Sequence, residues 1–182
     1  MSKNELEKLW DLPIELPYRE KVEKLQKLLA EKLEGVEACK EDDNVLYPSW
    51  TKYNHYFSDG LYVREMFCPK GHMAFTVIHK TANPLFMMEG TMWVSSEHGA
   101  QKLVAPTFVL SEPGTKRICY FPEDTVVITV HPNPKGISDL KEIEKIMFAR
   151  NWEEFDENLE QNVWQMFEHE EYYKKIENEE NK

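Results

Sequence analysis

Cysteine is scarce in this sequence. The three present, Cys39, Cys68 and Cys119, are odd in number, widely spaced and never part of a CxxC pair. That excludes a disulfide framework and a zinc ribbon, and leaves reduced, partly buried thiols. Long apolar runs are also absent: none approaches the ~18 residues of a membrane-spanning helix. The opening stretch MSKNELEKLW has no apolar signal-peptide core, so the expectation is a cytoplasmic protein. No GxSxG, GxxxxGKS/T or GxGxxG motif occurs, and His169-Glu170-Glu171 lacks the second histidine of HExxH. The signatures of serine hydrolases, P-loop proteins, dinucleotide binders and zincins are therefore missing.

Excess positive charge is missing as well. The formal net charge is −11, and it is unevenly spread. Residues 51–134 carry 7 basic and 7 acidic side chains, residues 1–50 carry 8 and 12, and residues 135–182 carry 7 and 14. No basic stripe exists to neutralise a phosphate backbone, so neither a nucleic acid nor a membrane is expected as partner. Acid at the two ends fits solvated helices.

What is present falls into three zones within 182 residues, a length suited to one domain with extensions. Residues 1–49 form a helical lead-in: YREKVEKLQKLLAEKLEG (18–35) spaces Val22, Leu25, Leu28, Leu29 and Leu33 as one helical face, with Gly35 as a stop. Residues 50–134 read as strands: LYVREMFC, MAFTVIHK, LFMMEGTMWVSS, QKLVAP, TFVLS, KRICYF and TVVITVH, separated by turn signals such as Ser58-Asp59-Gly60 and Pro113-Gly114. Short strands at this spacing indicate a sandwich or barrel. Residues 135–182 are an acidic helical extension. Ser138 is positioned to cap LKEIEKIMFA, and Trp152, Phe155, Leu159, Val163 and Met166 make a second apolar stripe.

Residues 71–90, GHMAFTVIHKTANPLFMMEG, resemble the first motif of the cupin superfamily. Gly71 and Gly90 match its glycines and His79 its second histidine; Val77 stands at the first histidine and Asn83 at the glutamate. Pro113-Gly114 resembles the second motif, with Arg117 at the third histidine. The run from SDGLYVREMFCPKG (58–71) through VIHKTANP, LVAPTFVLSEPGTKR and EDTVVITVH (123–131) is similar to uncharacterised cupin-like proteins of tailed phages and prophages. The resemblance implies a mainly β protein: a single cupin-like double-stranded jelly-roll barrel with an N-terminal helix and a C-terminal helical extension. It also implies phage origin, and hence the cytoplasm of a host cell. It implies little about a reaction, so enzymatic activity stays open.

Strand alternation and the motif matching together point His79, Asn83 and Arg117 into one interior pocket, with His131 at its mouth and Phe75, Met88 and Trp93 as apolar walls. Three readings follow. In the first, Arg117, His79, Asn83 and His131 bind a small anionic molecule, the guanidinium replacing a metal. In the second, His79 and His131 hold a divalent metal with a further ligand such as His55, Cys119 or Glu89, in an oxygenase or isomerase. In the third, the pocket is vestigial and the helices bind a protein. Plainer roles stand beside these: His79 as a hydrogen-bonded core histidine, Arg117 paired with Glu65 or Glu89, His131 ending a strand. The apolar stripes of the appendages lead to the expectation of a homodimer or larger assembly with helices at the interface.

Overall fold

The computed structural model describes residues 18–32, 51–96 and 99–157. In chain order the elements are α1 (Tyr18–Lys32), β1 (Lys52–Ser58), β2 (Gly60–Cys68), β3 (Met73–Phe75), β4 (Ile78–His79), β5 (Asn83–Glu89), β6 (Thr91–Ser96), β7 (Gly99–Val104), β8 (Thr107–Ser111), β9 (Ile118–Tyr120), β10 (Thr125–Asn133), α2 (Leu140–Met147) and β11 (Phe148–Ala149). Residues 152–157 are again helical. The strands form a five-stranded sheet β1-β2-β10-β5-β8, a four-stranded sheet β3-β9-β6-β7 and a short pair β11-β4, antiparallel throughout. This is the expected jelly roll, mainly β with helical appendages.

Alternating side chains create the barrel's inside. In β10 the odd-numbered residues from Thr125 to Asn133 are buried and the even-numbered ones are not. The register sets Thr125, Val127, Thr129 and His131 opposite Cys68, Met66, Arg64 and Tyr62 of β2. One end of this interior is apolar: Cys68, Leu85, Met87, Met92, Val94, Cys119, Phe121 and Val127 form a single cluster. The other end is polar.

Where they are described, the appendages pack on their own barrel. Val22 and Leu25 of α1 pack on Phe75 and Ile118, outside the four-stranded sheet, and the Tyr18 hydroxyl donates to the carbonyls of Ser95 and Lys116. Ile143 and Met147 of α2 join Tyr62 and Phe148 at the polar end. Asp139, not Ser138, caps α2 by accepting from the Glu142 N–H at 3.0 Å. Phe155 closes on Ile78 and Ala149. Strand β11, which follows α2, pairs with β4. Leu159, Val163 and Met166 lie outside the described residues.

Two of the motif glycines have steric reasons. Gly90 has φ +83°, and a Cβ there would stand 2.3 Å from the Asp124 carbonyl oxygen. Gly114 has φ +79°, and its Cβ would meet the Phe155 ring at 2.9 Å. Gly71 shares the conformation, at φ +83°, but has open space. Gly71→Ala is therefore expected to cost only the left-handed penalty of about 1 kcal/mol. Gly114→Ala adds displacement of a packed aromatic, for about 2 kcal/mol in all and a fall in Tm of about 6 °C. Thermal unfolding followed by circular dichroism checks this, and equal losses at the two positions would contradict it.

Candidate functional site

The polar end is built from four neighbouring strands. Tyr62 and Arg64 come from β2, Thr129 and His131 from β10, Asn83 from β5 and Ser111 from β8. Thr129 pairs with Arg64 and with Leu85, and Asn83 pairs with Ser111. Since side chains two apart share a face, His131, Asn83 and Ser111 fall in one row, next to Tyr62. All four are essentially sealed from solvent. The short strand β4 supplies His79, held by pairing with Phe148 of β11 and by its carbonyl, which accepts from the Gly114 N–H at 2.8 Å.

Rings organise the interior of this end. The His79 and His131 centroids are 5.9 Å apart with planes 8° from parallel. Phe148 presents edge contacts to both, at 5.2 and 5.8 Å. Tyr62 stacks on His131 at 5.9 Å and shares a 2.8 Å hydrogen bond with His55 Nδ1. The buried Arg64 guanidinium lies 5.1 Å from the Phe148 ring centre, within cation–π range. Arg117, half-buried, donates from Nη1 to Ser111 Oγ at 2.8 Å, and its backbone N–H donates to Thr76 Oγ1.

Hydrogen-bonding capacity here exceeds what the chain uses. Among the described residues, His79 Nε2, both amide atoms of Asn83, Thr129 Oγ1 and both ring nitrogens of His131 are buried with no hydrogen-bond partner. Each such atom costs about 1–3 kcal/mol when left unmade, and native interiors hold few of them. Burial first, and the positive Arg64 nearby second, lower the pKa of His79 to about 3 and that of His131 to about 2. Both imidazoles are therefore neutral near pH 7. Each offers one N–H donor and one lone-pair acceptor, while Asn83 offers both functions at once.

Of the residues expected from the sequence, His79, Asn83 and His131 converge on this end, and Arg117 reaches it through Ser111. Neither suggested ion pair of Arg117 forms: Glu65 accepts from Asn54 and Tyr56, and Glu89 is exposed. The expected apolar walls lie elsewhere. Phe75 packs under α1, Met88 is exposed on the opposite face of β5, and Trp93 is half-buried in the other sheet. Phe148 is the wall instead. Arg64, Tyr62 and Thr129 were not singled out, although alternation in LYVREMFC and TVVITVH sets them on the faces that carry Met66 and His131.

A divalent metal, implied by cupin resemblance, does not fit these donors. Two imidazoles and an amide fall short of the three or four ligands, commonly including a carboxylate or thiolate, of stable zinc or iron sites. Among the described residues no group of three His, Cys, Asp or Glu is arranged to hold a metal. The suggested third ligands are engaged elsewhere: His55 bonds Tyr62, Glu89 is exposed, and Cys119 sits in the apolar core. Burial pushes the Cys68 and Cys119 thiols up to about 12, so neither offers a thiolate at neutral pH. Arg64 raises the local potential against a cation.

Fold and site together describe a jelly-roll barrel with a dry half and an under-satisfied polar half. No protein-family model and no curated protein sequence matches the chain. The solved structures similar to it include cupins. An RmlC-like cupin from Shewanella frigidimarina is 16% identical with a TM-score of 0.42, covering 50% of this chain and 79% of its own. KdgF from Halomonas sp. is 13% identical with a TM-score of 0.42, covering 46% and 81%. A cupin superfamily protein from Desulfitobacterium hafniense is 7% identical with a TM-score of 0.41, covering 46% and 78%. No helix among the described residues is long and apolar enough to cross a membrane.

Proposed function

We propose that the polar end of the barrel binds a small anionic molecule. The observation that carries this reading is the set of buried, unpartnered atoms on His79, Asn83, Thr129 and His131 beside two guanidinium groups. Arg64 and Arg117 supply the charge, and guanidinium matches carboxylate or phosphate oxygens through paired N–H donors. The neutral imidazoles and the Asn83 amide accept and donate, which fixes orientation. Phe148 and Tyr62 provide apolar contact, as in most small-molecule sites. The resemblance of residues 58–131 to phage cupin-like proteins goes with a role in the cytoplasm of a host cell.

The test is to purify the full chain without a histidine tag, denature it, and profile released small molecules by mass spectrometry. Inorganic phosphate, citrate and nucleoside monophosphates are then screened for thermal stabilisation. The expected result is about one anionic molecule per chain, or one screened anion that raises Tm. Arg117→Ala should weaken that binding about a hundredfold, as removal of a charged hydrogen-bond partner does, and leave the Tm of the empty protein within about 2 °C, because the side chain is only half-buried. Elemental analysis of the same preparation covers the metal reading: one metal per chain, lost in His79→Ala, would overturn the proposal. So would an empty protein that none of the anions stabilises.

A further inference from the structure

Asn83 and Ser111 expose nothing to solvent, and His131 only 1%, so a molecule reaches the polar end only if one of its walls moves. The strand walls resist this. β2 and β10 are nine residues long and paired over their whole length, and β5 is paired on both sides, to β10 and to β8. The wall that carries Phe148 is different. β11 holds β4 through two residues, Phe148 opposite His79 and Ala149 opposite Ile78. The chain then crosses the Pro113-Gly114 turn, where the Phe155 ring occupies the space a Gly114 Cβ would need. That turn leads into Arg117, and its Gly114 N–H donates to the His79 carbonyl. On the reading of the polar end as a ligand site, we infer that residues 148–156 are its lid and that Arg19 of α1 is the latch that holds the lid closed.

The latch is made of polar groups at the surface. Arg19 Nη1 donates to both carboxylate oxygens of Asp156, at 3.0 and 2.7 Å, and both side chains are exposed. The same guanidinium lies 4.3 Å from the Trp152 ring centre and 6.0 Å from that of Phe155, within cation–π range. One side chain of α1 thus grips Trp152, Phe155 and Asp156. α1 itself is anchored, with Val22 and Leu25 buried on Phe75 and Ile118 and the Tyr18 hydroxyl donating to the Lys116 carbonyl. Tyr18 and Arg19 therefore tie the backbone beside Arg117 to the lid. Lys80, next to His79, adds a second fastening: its Nζ donates to Glu154 Oε1 at 2.8 Å and to the Lys145 carbonyl at 2.9 Å. An exposed ion pair and a cation–π contact are each weak, whereas the strand ladders open only cooperatively. The lid is accordingly the part of this end with the lowest cost of local opening.

Diethyl pyrocarbonate, which acylates neutral imidazoles it can reach, tests the lid on the full chain with no ligand added. Peptide mass spectrometry reads the rate at each histidine. In the wild type, partly exposed His72 should react quickly. His79 and His131 should react slowly, at a rate nearly flat in urea below the unfolding transition, because a local opening exposes little surface. Arg19→Ala should raise the rate at His79 and His131 about tenfold, leave His72 unchanged, and lower Tm by no more than about 5 °C. Asp156→Asn, which keeps the ring contacts, should raise it about threefold. Lys102→Ala, on the exposed strand β7, should not change it. Rates at His79 and His131 that climb with urea as steeply as global unfolding would overturn the lid, since the site would then open only with the whole fold. Unchanged rates in Arg19→Ala would overturn the latch. If the lid behaves as expected and no anion binds, the lid stands and the anionic ligand does not.

Discussion

Lowering the pH from 7.5 to 5 is expected to remove about 4 kcal/mol of folding stability, through His79 and His131. Both are buried, and their pKa values are held near 3 and 2 rather than the ordinary 6.5, first by desolvation and then by the charge on Arg64. The folded chain therefore keeps both imidazoles neutral down to pH 5. The unfolded chain protonates them as pH falls through about 6.5, so it binds more protons than the native state. Stability that is fully present above the unfolded pKa is lost below it, by about 1.4 kcal/mol per pH unit for each histidine. Carboxylates such as Glu154, where burial pushes the pKa up but the bonds to Lys80 and Arg150 together outweigh it and bring the pKa down, lose their contribution only further down, near and below the carboxylate range. The window between 7.5 and 5 thus isolates the histidines; His55, whose pKa burial and then Arg64 also lower, adds to the loss in the same direction. Urea unfolding at the two pH values measures the loss. In His131→Phe, with one titrating ring replaced by an apolar one, the loss should fall to about 2 kcal/mol. Equal stability at the two pH values would mean that both rings are protonated in the fold, and a loss of about 2 kcal/mol that one of them is. The neutral donor–acceptor roles assigned to them would then fail.

The same alternation that placed these histidines explains how much could be seen in advance. β10 reads directly: its period of two sends Val127, Thr129 and His131 to one side and Val126, Ile128 and Val130 to the other, and the structure keeps both assignments. Gly114 was legible as a turn position, whereas Gly90 was legible only as a motif glycine within the run LFMMEGTMWVSS, which divides there into β5 and β6; the contacts behind them are an aromatic ring and backbone crowding. The run MAFTVIHK read as one strand, but it divides into β3 and β4. Ile78 and His79 are both buried, which no single strand face allows. They lie between two packed layers, Ile78 against Ala149 and Phe155, His79 against His131 and Phe148. That second layer comes from β11, about 70 residues later in the chain, and long-range pairing leaves no local mark. Arg64 was equally visible and was passed over, because one guanidinium on an apolar strand face does not resemble a ligand motif. Its field on both histidines appears only when β2 and β10 are paired.

Replacing unpartnered polar atoms with apolar ones of the same shape should stabilise the protein and remove its binding. Thr129→Val exchanges a hydroxyl with no partner for a methyl group, and Asn83→Leu exchanges an amide that bonds nothing for a side chain of similar volume. In an ordinary core each exchange would break a hydrogen bond and cost about 1–3 kcal/mol. Here no bond among the described residues is lost, and the desolvation cost of the polar group is relieved. The double variant is expected to gain about 2–3 kcal/mol, or about 6–9 °C in Tm. The same variant should bind the anion identified for the wild type about a hundredfold more weakly or not at all, because the groups that orient it are gone. Gains in stability with loss of binding are the signature of a site maintained for function at the expense of the fold. Thermal unfolding and titration calorimetry on one preparation read both effects. A destabilised variant would show that these atoms already have structural partners, such as internal water, and that the polar end is part of the core and not a site. A variant that is stabilised and still binds would separate the two claims, leaving the ligand to Arg64 and Arg117 alone.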